Sequence, residues 1–544
     1  MRNMPNKRKL SLLLLLSLVL VLAACSGGNN APGNSTGNTG GNAGANANGN
    51  AGGSGETAPV KLTYWVAMDG NASRSLGSYS EMLFFQELEK RTGVEVEFQH
   101  PAVGSEKEQF NLMIASGNLP DVIESDFTAY PGGPEKAIAD QVLIPLNDVI
   151  DEHAPNLKAY LDEHPEFRKE IVTDDGTIYV FPSIGIGNRA VSGGLMLRQD
   201  WLDELGLDVP VTMDDWTNVL RAFKEKGAAF PFTARLGTFN ATNAFNGAYG
   251  VGQNFYQKDG QVKYAPLEPG YKDYLAQLNA WYEEGLLDPD FATQDAKAHD
   301  AKVSNGDSGA FFAYIGSGMG RFLNAMEGQE FDLVGAPYPV LNEGEEPYFV
   351  NKPYEYRGGG SAGITPNNEH VAETAEWLDY LYSDEGHILK SFGIEGETFN
   401  MVDGDPQYSE LIMDNPDGLS IGEAMGKYLR VSTPTPGLVG DDRYAEQYYE
   451  YEQQKKASAT YSEHQDNADQ VLLPRISQTP DEANELSAIM AEVQTYQDEM
   501  LLKFIMGSES LEDGYEAYTE QLRKMNIERA IELKQAALER YKQR

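Results

Sequence analysis

Between Lys61 and Ser125 the chain switches repeatedly between a two-residue and a helical period, and that alternation most constrains its fold. Lys61-Leu-Thr-Tyr-Trp-Val66 alternates like a strand, and Tyr79 to Thr92 carries Met82, Phe85 and Leu88 at helical spacing before Gly93 stops it. Val94 to Phe98 alternates again, Glu106 to Ala115 reads as a second helix ending at Ser116-Gly117-Asn118-Leu119-Pro120, and Asp121 to Ser125 is a short strand. Strand, helix, strand, helix, strand is the order of a parallel sheet with crossover helices. In such open sheets ligands bind beyond the carboxyl ends of the strands, here Trp65 to Asp69 and Ser125 to Phe127.

The body that follows, from about Thr57 to Arg544, is too long for one core, so two lobes are expected. Ahead of it, Ser26 to Glu56 is almost entirely Gly, Asn, Ala, Ser and Thr, which cannot bury enough apolar surface to offset its ordering entropy. A flexible chain of roughly 31 residues spans about 30 Å, the length of a tether.

What the tether holds to is written at the N-terminus. Arg2, Lys7, Arg8 and Lys9 precede an uncharged apolar run from Leu10 to Leu22 and two small residues, the order of a secretory signal and too short to span a bilayer comfortably. Cys25 follows as the only cysteine, so it has no internal disulfide partner. The ending Leu22-Ala-Ala-Cys25 resembles the lipobox of bacterial prolipoproteins, which makes residues 1–24 a lipoprotein signal peptide and Cys25 the lipidated mature N-terminus. The alternative is an ordinary signal cleaved near Ala24, which leaves the tether without a purpose.

Losing residues 1–24 removes four basic side chains and no acidic one, taking the formal charge from −41 to −45. So negative a surface repels nucleic acid and anionic headgroups. Beyond the signal no apolar run approaches membrane-spanning length, leaving the lipid as the one visible anchor.

Several further stretches carry a resemblance. Leu62-Thr-Tyr-Trp65, Glu89-Lys-Arg-Thr-Gly-Val94, the run from Phe110 to Val122, Asp174 to Pro182, Leu197 to Leu207, Gly358 to Pro366, Trp377 to Gly386 and Phe392 to Gly396 occur in an order similar to that of extracellular solute-binding proteins of carbohydrate ABC importers, in particular the long subgroup. The resemblance implies an α/β, two-lobe, periplasmic-binding-protein-like fold with discontinuous lobes joined by a hinge and a sugar cleft between them. It places 58–184 and 338–396 in the N-terminal lobe, and 185–337 and 397–544, with a helical C-terminal extension, in the other. Crossings are expected near Pro182 to Ala190, around Ala336 to Val340 and just after Gly396. It further implies an oligosaccharide ligand, permease subunits as membrane partners, a monomer on the outer face of the cytoplasmic membrane, and no cofactor.

A sugar site needs aromatic faces for pyranose C–H surfaces and paired donors and acceptors for hydroxyls. Trp65, Asp126 and Phe127 lie at strand ends of the first lobe. From the second, Phe239, Asn240, Asn243 and Asn246 occupy an Asn- and aromatic-rich stretch, and Tyr314 follows a strand-like run that resembles the family's aromatic-delivering strand. Tyr356 and Arg357 lie near the expected hinge mouth, where a guanidinium can clamp hydroxyls or a carboxylate. The other tryptophans, Trp201, Trp216, Trp281 and Trp377, fall in helical patterns and read as core.

Catalytic readings find less. Gly185-Ile-Gly-Asn-Arg-Ala190 fits a dinucleotide fingerprint only formally, with no helix pattern after it. No zinc-protease, nucleophile-elbow or phosphate-loop sequence occurs, and the seven histidines are scattered. No metal site is expected: Phe223 to Phe230 passes into Pro231 without the oxygen-rich calcium turn that some long members resemble. A lipid-anchored glycoside hydrolase remains the alternative, because 83 acidic residues offer many carboxylate pairs, and a surface adhesin or scaffold is the other. The negative field disfavours a polyuronate at long range, although Arg189, Arg198, Arg235 or Arg357 can reverse the sign inside a cleft.

Overall fold

Strand Val60–Trp65 runs parallel to Val94–Gln99 on one side and to Val122–Ser125 on the other, with Val60 opposite Val94 and Tyr64 opposite Val122. The fourth strand, Ser361–Ile364, joins antiparallel to Val122–Ser125. The structure, a computed structural model, describes residues 60–187, 191–240, 242–431 and 434–544, with only the backbone at Asn240. Cys25, the signal segment, the tether and Arg189 lie outside the described residues.

Local chemistry accounts for the elements of this first lobe. Leu62 and Tyr64 point into the core. The expected helix from Tyr79 divides into a single 3-10 turn, Tyr79–Glu81, and the helix Leu83–Thr92, with extended Met82 between them. Gly93 at φ 72° ends it, a left-handed position that favours glycine. The next helix, Glu106–Ser116, covers one sheet face with Phe110, Met113 and Ile114.

In the second lobe the strand order is Leu333–Gly335, Gly193–Arg198, Ala310–Tyr314, Phe232–Thr233. Ala310–Tyr314 is antiparallel to Gly193–Arg198 and parallel to Phe232–Thr233. Its core is aromatic: Phe245 stands edge-on to Trp216 at 5.2 Å and to Trp281 at 5.0 Å. Helices Pro480–Ile505, Leu511–Lys524 and Ile527–Tyr541 bury Val493, Phe504, Tyr518 and Leu522 in the same core, which places the C-terminal extension on this lobe.

The lobe boundaries expected after Gly396 need correction. Phe399, Tyr408, Ile421 and Met425 pack with Phe392, at the end of helix Asp384–Ser391, in a satellite core. Arg74 reaches Glu423, and Arg430 pairs with Glu124 of the first sheet. Residues 397–431 therefore extend the first lobe, and the third crossing comes later than the resemblance implies.

Three crossings lie side by side as a ribbon. Ser183–Gly185 pairs parallel with Gly437–Val439. On the other side Gly185 N–H donates to Glu355 O at 2.8 Å, and Arg357 N–H to Ser183 O at 3.1 Å. The crossing expected at Ala336 to Val340 is displaced to this point, because Ala336 N–H still bonds Leu195 O and Val340 O still accepts from Met213 N–H. A fourth passage runs along 471–479, where Tyr354 Oη donates to Leu473 O at 2.9 Å and the Arg475 guanidinium stacks 4.2 Å from the Tyr354 ring.

Candidate functional site

A cavity of about 510 Å³ opens where the strand ends of the second lobe meet the crossing segments 349–354 and 471–473. Its volume falls within the range of small-molecule sites. Tyr314, the last residue of its strand, borders it with 59% of its surface exposed, although its neighbours along the strand are largely covered. Gly193 lies opposite in the antiparallel register, and a Cβ there would stand 2.9 Å from Tyr314 Cδ1. Glycine therefore lets the ring lie against the neighbouring strand and present a face.

Amides surround this platform. Asn243 Nδ2 donates to Val350 O at 3.4 Å, and its Oδ1 accepts from Asn246 Nδ2 at 3.3 Å. Asn246 Nδ2 also donates to Val251 O at 2.8 Å. Asn351, Gln253 and Asn254 line the cavity as well, with the aromatic rings of Tyr256, Phe349 and Tyr354. Burial pushes the Tyr256 and Tyr354 hydroxyls up from their ordinary range, against a countering Arg475 charge at Tyr354, so both stay protonated donors near neutral pH. Lys352, which also borders the space, donates to Asp466 at 3.0 Å and Asp469 at 2.7 Å. The set offers ring faces, donors and acceptors, the groups a polyhydroxylated ligand requires.

Of the residues singled out by sequence, Tyr314 lines this cavity, and so does Asn243. The others go elsewhere. Trp65 is nearly buried, 5.6 Å from Phe110, and Phe127 is fully buried on the same ring at 6.3 Å. Both strand ends are roofed by helix Glu106–Ser116, so these aromatics serve the core. Phe239 is likewise core, between Phe232 and Phe291. Tyr356 is fully buried with its Oη 3.4 Å from Tyr179 Oη, and burial pushes its hydroxyl up to about 12. Asn246 is buried behind Asn243 as a prop. The backbone of Asn240 ends the short helix Leu236–Asn240.

Asp126 and Arg357 each lie beside the hinge ribbon instead. Asp126 accepts from Thr128 N–H at 3.0 Å, and a Cβ on Gly358 would lie 3.0 Å from its Oδ2. The Arg357 guanidinium lies over Gly185, 2.8 Å from where a Cβ would stand, so this crossing needs glycine for close approach rather than for its dihedral angles.

Sequence reasoning passed over the Tyr444, Tyr448, Tyr449 row. Tyr444 and Tyr448 stack at 6.3 Å and 26°, and Tyr448 and Tyr449 lie 5.7 Å apart. A Cβ on Gly316 of the second lobe would collide with the Tyr448 ring, and one on Gly422 of the first would lie 3.3 Å from its hydroxyl, so both lobes abut one side chain. The signal was the density of tyrosines after Gly440, in a stretch without a motif. Among the described residues no group of three or more His, Cys, Asp or Glu side chains is placed to hold a metal ion.

The fold and several sequences point the same way. The chain is 30% identical over 344 residues to the fructooligosaccharide ABC transporter substrate-binding protein FusA of Streptococcus pneumoniae serotype 4, a match spanning 58% of this chain and 61% of that one. It is 26% identical over 337 residues to lipoprotein LipO of Bacillus subtilis, across 58% of this chain and 64% of LipO. The matched spans thus cover less than two thirds of these relatives' length. Among solved structures, the alginate-binding protein AlgQ2 without calcium ion superposes with a TM-score of 0.73 at 23% identity, covering 88% of this chain and 98% of that chain. FusA from S. pneumoniae in complex with kestose gives 0.72 at 23% identity, covering 89% and 99%. The profile of bacterial extracellular solute-binding proteins matches residues 71–388, more than half of the sequence. The chain belongs to the bacterial extracellular solute-binding proteins.

Proposed function

We propose that this protein captures an oligosaccharide outside the cell and delivers it unaltered to the permease of an ABC-type importer, held to the outer face of the cytoplasmic membrane by acyl chains on Cys25. The observation that carries the reading is the cavity at the crossings, with the exposed face of Tyr314 among amides and tyrosyl hydroxyls. A sugar ring stacks on such a face while its hydroxyl rim exchanges hydrogen bonds with Asn243 and Asn351. Because the cavity borders the segments that join the lobes, a ligand there favours one arrangement of the lobes by its differential affinity. The closed form is then the one the permease receives.

Family membership and the sugar ligand named for FusA support this reading. A glycoside hydrolase would need two carboxyl groups flanking the bond it cleaves, and no Asp or Glu is among the described residues that line the cavity. Thermal-shift and tryptophan-fluorescence titration against an oligosaccharide panel tests the proposal. A saturable shift with the sugar recovered intact supports it, whereas release of shorter products by chromatography would replace it with the hydrolase.

A further inference from the structure

We propose that this site selects neutral oligosaccharides and rejects oligouronates, an inference that rests on the sugar-receptor reading and names its substrate class. Among the described residues lining the cavity, Lys352 is the one charged side chain, and no arginine or histidine accompanies it. Its ammonium is committed to two carboxylates, Asp466 at 3.0 Å and Asp469 at 2.7 Å. Two anions on one cation leave no net positive charge to receive a third. A carboxylate entering this wall gives up water without an ionic partner, which is costly in a partly closed space.

Three described arginines are held by groups of the protein itself. Arg198 is buried, paired with Asp200 and stacked between the Trp201 and Phe331 rings. Arg357 lies over Gly185 at the hinge, and Arg475 stacks on Tyr354. What the wall does offer is uncharged: the Tyr314 face, the amides of Asn243, Gln253 and Asn351, and the hydroxyl of Tyr256. These complement hydroxyls and ring C–H surfaces equally well on any neutral sugar. The formal charge of −41 adds long-range repulsion of anionic glycans.

The test is isothermal titration of the full chain in detergent against length-matched neutral oligosaccharides (fructo-, xylo- and gluco-series) and oligouronates (galacturonate and mannuronate series). The expected result is at least tenfold tighter binding of a neutral member, with a Kd unchanged between low and high salt. The double variant Asp466→Asn/Asp469→Asn, changed at two exposed positions, frees Lys352 and should raise oligouronate affinity while leaving the neutral sugar's Kd as it was. An oligouronate binding as tightly as any neutral sugar, with affinity that falls steeply with salt, overturns the selectivity but leaves the sugar receptor standing. Binding of no member of either series, or cleavage of one, overturns both.

Discussion

Arg430 Nη2 donates to Glu124 Oε1 at 2.8 Å with both side chains buried, although 306 residues separate them. Glu124 Oε2 accepts from Tyr64 Oη at 2.8 Å, and the Arg430 guanidinium lies 4.6 Å from the Tyr79 ring centre. Burial pushes the Glu124 carboxyl up and the guanidinium opposes it. The pair fastens the chain just ahead of the third crossing to the first sheet, and so ties residues 397–431 to that lobe. Arg430→Ala should cost about 3–5 kcal/mol by leaving a buried carboxylate without its paired guanidinium. Replacing both partners, Glu124→Leu with Arg430→Met, should cost much less, as measured by chemical denaturation.

Tyr314 is expected to act on ligand and not on the fold. Tyr314→Ala removes a largely exposed ring, so the melting temperature should hold while affinity for the bound sugar falls about tenfold, the worth of an aromatic contact near 1.4 kcal/mol. Calorimetric titration beside a thermal melt separates the two effects. Phe127→Ala should do the opposite, lowering the melting temperature through a cavity in the first core.

Acid should loosen the hinge. Asp441 caps helix Asp442–Tyr448 immediately after the third crossing, accepting from Arg443 N–H at 2.9 Å and bonding His387 Nε2 at 2.9 Å. Burial pushes its carboxyl up, but the bonds from His387 and Arg443 prevail and hold it well below the ordinary carboxylate range. A depressed value means the unfolded chain binds the proton first. The stabilisation is complete above about pH 4 and is lost as pH falls below it. Thermal melts from pH 7 to pH 3 should therefore fall more steeply for the native protein than for Asp441→Asn.

The last helix reaches across to the other lobe. Arg540 and Arg544 both pair with Asp174, Arg540 also with Glu482, and Arg544 Nη1 donates to the Lys169 and Val172 carbonyls at 2.9 Å. Asp174→Ala takes the shared carboxylate from two guanidinium groups, which keep their other partners, and should cost about 1.5–3 kcal/mol. Faster amide exchange confined to 527–544 and 165–177 is the expected signature in hydrogen-exchange mass spectrometry.

Much of the first lobe is legible in the sequence because its elements are local: Val60–Trp65 and Val94–Gln99 carry their own periods, and Gly93 marks its own stop, whereas the return of Ser361–Ile364 to this sheet is not written in its pattern. The return of residues 397–431 to that lobe is not legible, since it rests on Arg430 meeting Glu124 and Met425 meeting Phe392 across long separations. The site was partly readable. Tyr314 ends a strand bounded by glycines, a pattern with a physical meaning, whereas Trp65, Phe127 and Tyr356 look the same in sequence whether a strand end is open or roofed by a helix. Asn351 and Tyr354 escaped notice because a segment beside Pro353 gives no period to read.

Small-angle scattering of the protein with and without a saturating oligosaccharide, with chromatography of the recovered sugar, tests capture between hinged lobes most directly. The account predicts a smaller radius of gyration in the complex and sugar returned at its original length. An unchanged radius at full occupancy, or shortened sugar, would contradict it.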